Sequence, residues 1–160
     1  MDLLRSWVSA QHLSVLFDSD TENWRMGDKD FSEKLRGKNR LYVVVSDISG
    51  SVFGGYAEHY EIGMSNNNKN FVFSLRRKNV ICAQKFSALE SRGVVFLPEK
   101  DEDQRLVCFG AGLWDLQICK QNAFWVGTCV QRSFDYLGLE QALCGSRNFC
   151  PQRVVVLQCD

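Results

Sequence analysis

LYVVVSDISGSVFGGYA, residues 41–57, is two apolar runs joined by a short polar turn and closed by a double glycine. Residues 41–45 are apolar and β-branched at three positions, which suits an interior strand covered on both faces. In the turn, Asp47 can bond its own backbone and Gly50 is free to take a positive φ, as in a hairpin loop with a bulge. The returning strand then puts Val52, Gly54 and Tyr56 on one face and Phe53, Gly55 and Ala57 on the other. Two adjacent glycines weaken a strand, so they imply either a bulge or a close approach by another backbone or ring. The stretch predicts a β-hairpin at the centre of a sheet.

Upstream of the hairpin, Leu3, Leu4, Trp7 and Val8 fit one face of a short amphipathic helix over 2–10, and 12–17 alternates as a first strand. DSDTENW (18–24) is rich in turn formers and predicts a surface loop. In GDKDFSEKLRGKN (27–39), Asp30 is read as the N-cap of a short helix ending at Gly37. Glu33 completes a capping box, and Phe31 and Leu35, four apart, anchor the helix on the core.

Downstream, 58–70 is the most polar stretch and predicts a loop. FVFSL (71–75) then places Phe71, Phe73 and Leu75 on one side of a half-buried strand. The basic cluster at Arg76, Arg77 and Lys78 is read as its solvated end. Shorter strands are expected at 80–82, 93–97 and 105–109, with the acidic segment EKDEDQ (99–104) as a hairpin tip, and that spacing predicts an antiparallel β protein. In FGAGLWDLQI (109–118) the glycines break one strand from the next, the latter carrying Trp114, Leu116 and Ile118 on one face and Asp115 on the other. NAFWVGTCV (122–130) reads as another strand. FDYLGLEQALCG (134–145) reads as partly helical, interrupted by Gly138 and stopped by Gly145. RVVVL (153–157) is expected in the middle of a sheet. The sum is a mostly β fold with flanking short helices and no internal repeat.

A chain of 160 residues suits one domain burying roughly 70% of its unfolded surface. Nineteen basic residues balance nineteen acidic ones, so the net field that concentrates proteins on nucleic acid or anionic lipid is absent. Seven cysteines form no C-x-x-C pair, and Cys108, Cys129 and Cys159 sit in apolar contexts where a thiol packs as a small hydrophobe. The opening residues lack the pattern of a secretory signal, and no apolar run reaches the ~18 residues of a membrane span. The expected compartment is reducing, intracellular and cytoplasmic.

Tests for chemistry give little. GAGLWD lacks the third glycine and the helix of a dinucleotide fingerprint, and GGY has no P-loop spacing. His59 and Glu61 make an H-x-E without the P-C-x-x-C that a zinc deaminase needs, and the only other histidine is His12. Neither metal, cofactor nor catalytic constellation is expected. Of the thiols, Cys144 and Cys150 look least embedded in strands and are the candidates for a reactive cysteine.

The chain resembles the TLDc domain of oxidation-resistance and related proteins along essentially its whole length, residues 1–160. The most specific match is D-x-x-G-x-V-F-G-G-Y, which singles out Asp47, Gly50, Phe53, Gly54, Gly55 and Tyr56. The F-x-F-S-L strand adds Phe71 and Phe73, and G-x-G-x-x-D-L-x-I adds Gly110, Gly112 and Asp115. At 110–112 the chain has GAG where relatives often show GGG. FDYLGLEQALCG looks like a branch in which the domain makes up most of a small protein. The resemblance implies a β-sandwich of two antiparallel sheets, a link to oxidative-stress protection, and binding to the vacuolar proton pump (V-ATPase) seen in several members. It brings no established reaction. The leading expectation is thus a non-enzymatic, cytoplasmic protein-interaction module that reaches pump-bearing membranes through V-ATPase subunits. The alternative is a thiol-based redox protein, or an enzyme with a cysteine nucleophile.

Overall fold

The computed structural model describes residues 1–27 and 29–160. Two short helices, α1 (Asp2–Val8) and α2 (Asp30–Leu35), accompany two antiparallel sheets. The first sheet holds β1 (Leu13–Asp18), β2 (Lys38–Asp47), β3 (Val52–Tyr60), β5 (Phe71–Arg77), β6 (Val80–Ser87) and β12 (Pro151–Cys159), ordered β1-β12-β2-β3-β5-β6. The second holds β4 (Gly63–Asn66), β7 (Val94–Leu97), β8 (Arg105–Phe109), β9 (Leu116–Cys119), β10 (Gly127–Cys129) and β11 (Asn148–Phe149), ordered β11-β10-β9-β8-β7-β4. They pack face to face as a β-sandwich. Leu41, Val43, Phe53 and Val72 of the first sheet share one buried cluster with Val95, Phe109, Leu116 and Ile118 of the second.

The opening hairpin is β2–β3, and it occupies the two central positions of its sheet. Its period of two splits its side chains between two cores. Val43, Val45, Phe53 and Ala57 face the second sheet, whereas Tyr42 and Tyr56 face outward into a smaller cluster with Phe71 and Phe73. Helix α1 roofs that outer cluster. Leu4 is buried in it, and the Trp7 ring meets Phe71 edge-on at 6.0 Å and Phe73 at 5.8 Å. Two further bonds fix the roof: Tyr42 Oη donates to the Leu4 carbonyl at 2.8 Å, and Arg40 Nη2 to the Val8 carbonyl at 2.7 Å. Helix α2 instead feeds the inner core through Phe31, edge-on to Phe17 at 5.1 Å, and Leu35.

Several segments depart from the sequence reading. Asp30 is the first helical residue, not the cap; Lys29 precedes α2 without a side-chain cap bond, and the acids at 30 and 33 lie in the first turn, where the helix dipole favours them. The polar stretch 58–70 is not one loop, because β3 runs on to Tyr60 and Gly63–Asn66 pairs with β7. An edge strand with one wet face tolerates that polarity. Only 127–129 of the expected strand 122–130 is extended. The expected helix at 134–145 is absent: Leu137, Gly138 and Gln141 all have positive φ, and Phe134 bridges to Ala88. Anchoring of Phe134, Tyr136 and Leu143 in the core wins there over helical propensity. Strand β12 lies between β1 and β2, an interior position, as its continuous apolar run predicts.

Candidate functional site

The residues singled out by the family resemblance lie in turns and in the buried packing of the sheets. Asp47 Oδ1 accepts from the backbone N–H of Ser49 and of Ser51, both at 2.9 Å, and from Ser49 Oγ at 2.7 Å, which closes the hairpin turn. Gly50 has φ +86°, a conformation L side chains rarely adopt, and a Cβ there would strike the Asn79 side chain at 2.2 Å. The double glycine admits a ring on each face of the sheet. A Cβ on Gly55 would lie 2.6 Å from the Phe109 ring, and one on Gly54 would lie 3.0 Å from Phe73 Cζ and 1.9 Å from the Val43 carbonyl oxygen. Of the two alternatives the sequence leaves open, close approach is what these glycines serve. Phe53 packs edge-on against Phe149 at 4.8 Å, while Tyr56 stacks on Phe71 at 4.9 Å.

Asp115 is fully buried. Its Oδ2 accepts from the backbone N–H of Arg132 at 2.8 Å, that of Ser133 at 2.7 Å, and Tyr136 Oη at 2.8 Å. It therefore holds the irregular 130–147 segment against β9. Gly110 and Gly112 form the turn that swings the chain back so that the Asp115 N–H reaches the Phe109 carbonyl at 2.8 Å. Trp114 does not share a strand face with Leu116 and Ile118: it sits in this turn with φ +63° and stacks on Phe96 at 5.2 Å.

The two candidate thiols separate. Cys150 is exposed, but Cys144, expected to be little embedded, is fully buried, with its sulfur 3.5 Å from that of Cys129. Burial pushes the thiols of Cys119 and Cys159 up to about 11 and that of Cys108 well above its ordinary value. His59 Nε2 lies 3.1 Å from Glu61 Oε1 on the surface. Among the described residues no three His, Cys, Asp or Glu side chains converge as metal ligands, and no helix is long and apolar enough to cross a membrane.

The best candidate for contact with another molecule is a surface that motif reading missed, the outer face of the second sheet. Cross-strand register lines up Met64, Phe96, Cys108, Gln117 and Thr128 on this face, with Cys108 itself fully buried. Trp114 stacks on Phe96, the Arg105 guanidinium sits 4.7 Å from the Phe96 ring centre and 6.0 Å from that of Trp125, and Asp103 grips Arg105 through two bonds of 3.0 and 2.9 Å. Beyond Trp125 the β9–β10 connection carries Phe124, 88% exposed, and at the far edge Met64 is 72% exposed. Neither helix covers this ladder, since α1 roofs the other sheet and α2 enters the core. The signal was present in sequence as NAFWV and as the alternation of β7 and β8, but only the register joins them. Comparison with models of known protein families and with curated proteins gives no match for this chain.

Proposed function

We propose that the protein is a non-enzymatic, intracellular interaction module of the TLDc type that docks a protein partner, with V-ATPase subunits the partner class the resemblance implies. One observation carries the reading: the Met64–Phe96–Trp114–Arg105–Trp125 ladder is an aromatic, arginine-bearing sheet face without a helix on it. Large rigid rings and a guanidinium held by a neighbour lose little freedom on binding, which is why such residues dominate interface energetics. The zero net charge supports a protein surface over a polyanion. The β-sandwich itself supports the family assignment only at the level of fold.

Affinity purification of the tagged chain from cells tests this. Pump subunits should co-purify, and Met64→Glu combined with Phe124→Ser should cut their recovery at least tenfold. Both side chains are mostly exposed, so the double variant should melt like the parent. Absence of pump subunits would remove that partner, and recovery indifferent to the double variant would remove this face.

A further inference from the structure

We propose that Cys129 and Cys144 constitute a peroxide-reactive dithiol site that closes to an intramolecular disulfide. The two come from different structural contexts, Cys129 at the end of β10 and Cys144 in the irregular 130–147 segment, 15 positions apart in sequence. Their sulfurs are nevertheless 3.5 Å apart, the one thiol–thiol hydrogen bond among the described residues. A disulfide needs about 2.05 Å, so closure takes a shift of roughly 1.5 Å. Around Cys144 the 130–147 segment meets the first sheet through side-chain bonds, Ser51 Oγ to the Cys144 carbonyl at 2.9 Å and Ser74 Oγ to the Leu143 carbonyl at 2.8 Å, whereas its 132–135 stretch is held by the Phe134–Ala88 bridge and by Asp115.

The asymmetry of the pair assigns the roles. The hydrogen bond with Cys129 holds Cys144 below its ordinary value against the opposing effect of burial, helped by the Ser146 backbone. The same bond, with burial, pushes Cys129 up. Asp47, the charged group nearby, raises both. Cys144, carried by the irregular segment with its sulfur 3.5 Å from that of Cys129, is the attacking sulfur, and Cys129 at the end of β10 the resolving one. Its sulfur attacks a peroxide oxygen, the O–O bond breaks, and one water leaves after protonation, giving a sulfenic acid. The Cys129 sulfur then attacks that sulfur; the S–S bond forms, the S–O bond breaks, and the thiol proton leaves with hydroxide as a second water. Two thiols lose two electrons and one peroxide is reduced to two waters.

The site is separate from the docking face, and its test does not depend on any partner. The full chain is treated with hydrogen peroxide under native conditions, alkylated, digested and mapped by mass. A cross-linked peptide pair joining 129 to 144 should appear, lighter by two hydrogens, reversed by dithiothreitol, and accompanied by a melting temperature raised by roughly 5–10 °C for a loop of this length. Cys150→Ser should retain all of this. Free thiols at 129 and 144 while Cys150 oxidises, or a cross-link to any other cysteine, would overturn the proposal; the mapping is made on the unmodified chain, so no variant has to fold.

Discussion

At the residue scale, the double glycine shows how much a missing Cβ can decide. Gly54 and Gly55 are neighbours in one strand, yet what they admit differs in stiffness. Opposite Gly55, at 2.6 Å, is the Phe109 ring, a side chain that must swing aside; opposite Gly54, at 1.9 Å, is the Val43 carbonyl oxygen, a backbone atom in a central ladder. Gly55→Ala should therefore cost about 1–3 kcal/mol by overpacking, and Gly55→Val several kcal/mol. Gly54→Ala should exceed Gly55→Ala despite adding the same single methyl. Urea denaturation midpoints read the order directly, and equal costs for the two alanines would contradict the contact geometry. Asp115 illustrates a different kind of residue effect. Alternation places it on the face opposite Leu116 and Ile118, and with its Oδ2 accepting two backbone N–H groups and a tyrosine hydroxyl the carboxylate sits wholly inside.

At the element scale, β12 is held on its N-terminal side by an ion pair as well as by its ladder. Arg153 donates to Asp18 through Nε at 3.0 Å and Nη2 at 2.6 Å, tying it to the end of edge strand β1. The Arg153 bonds, with the Asp20 N–H, hold the Asp18 carboxyl below its ordinary range. A depressed carboxylate stabilises the fold above its unfolded-state value and loses that contribution as pH falls through the folded-state value. Asp18→Asn should be less stable than the parent at pH 7, and the two should converge as pH drops below about 4. Denaturation midpoints measured from pH 7 to pH 2 check this; a gap independent of pH would mean that the pair's charge contributes nothing. The elements also differ in how well local sequence described them. Strands β2, β3, β5, β8 and β12 were legible because each repeats large apolar residues with period two or runs apolar throughout. The 134–145 segment was not, because its apolar spacing is also helical and the anchoring of each residue in the core decides otherwise.

At the scale of the whole molecule, the larger buried cluster draws on both sheets and on helix α2, so the two sheets share their main core, while the smaller cluster joins the first sheet to α1. The chain should unfold in a single transition. Tryptophan fluorescence, reporting on Trp7 in the α1 roof, on buried Trp24 and on the sheet-face Trp114 and Trp125, and far-ultraviolet circular dichroism should give superimposable thermal curves. Separate midpoints would mean that the sheets come apart independently. The same architecture explains why one outer face is available and the other is not. Helix α1 lays its apolar stripe on Tyr42, Phe71 and Phe73, and among the described residues no second such helix lies over the ladder built on Phe96.

The sequence by itself determined the class of the fold and the central hairpin, because these follow from side-chain alternation, whereas the choice between bulge and close approach at its glycines came from the tertiary contacts. It also pointed to the antiparallel pairing, since short strands separated by turn formers leave no room for crossovers. What only the tertiary structure decided is which residues from distant segments share a surface or a contact. The outer-face ladder joins Met64 to Trp125 through cross-strand register, and the Cys129–Cys144 pair exists because Asp115 folds the intervening segment back on β9. Local sequence carries period and volume but not register or long-range return, and those two set where this protein can be touched and which of its thiols can meet.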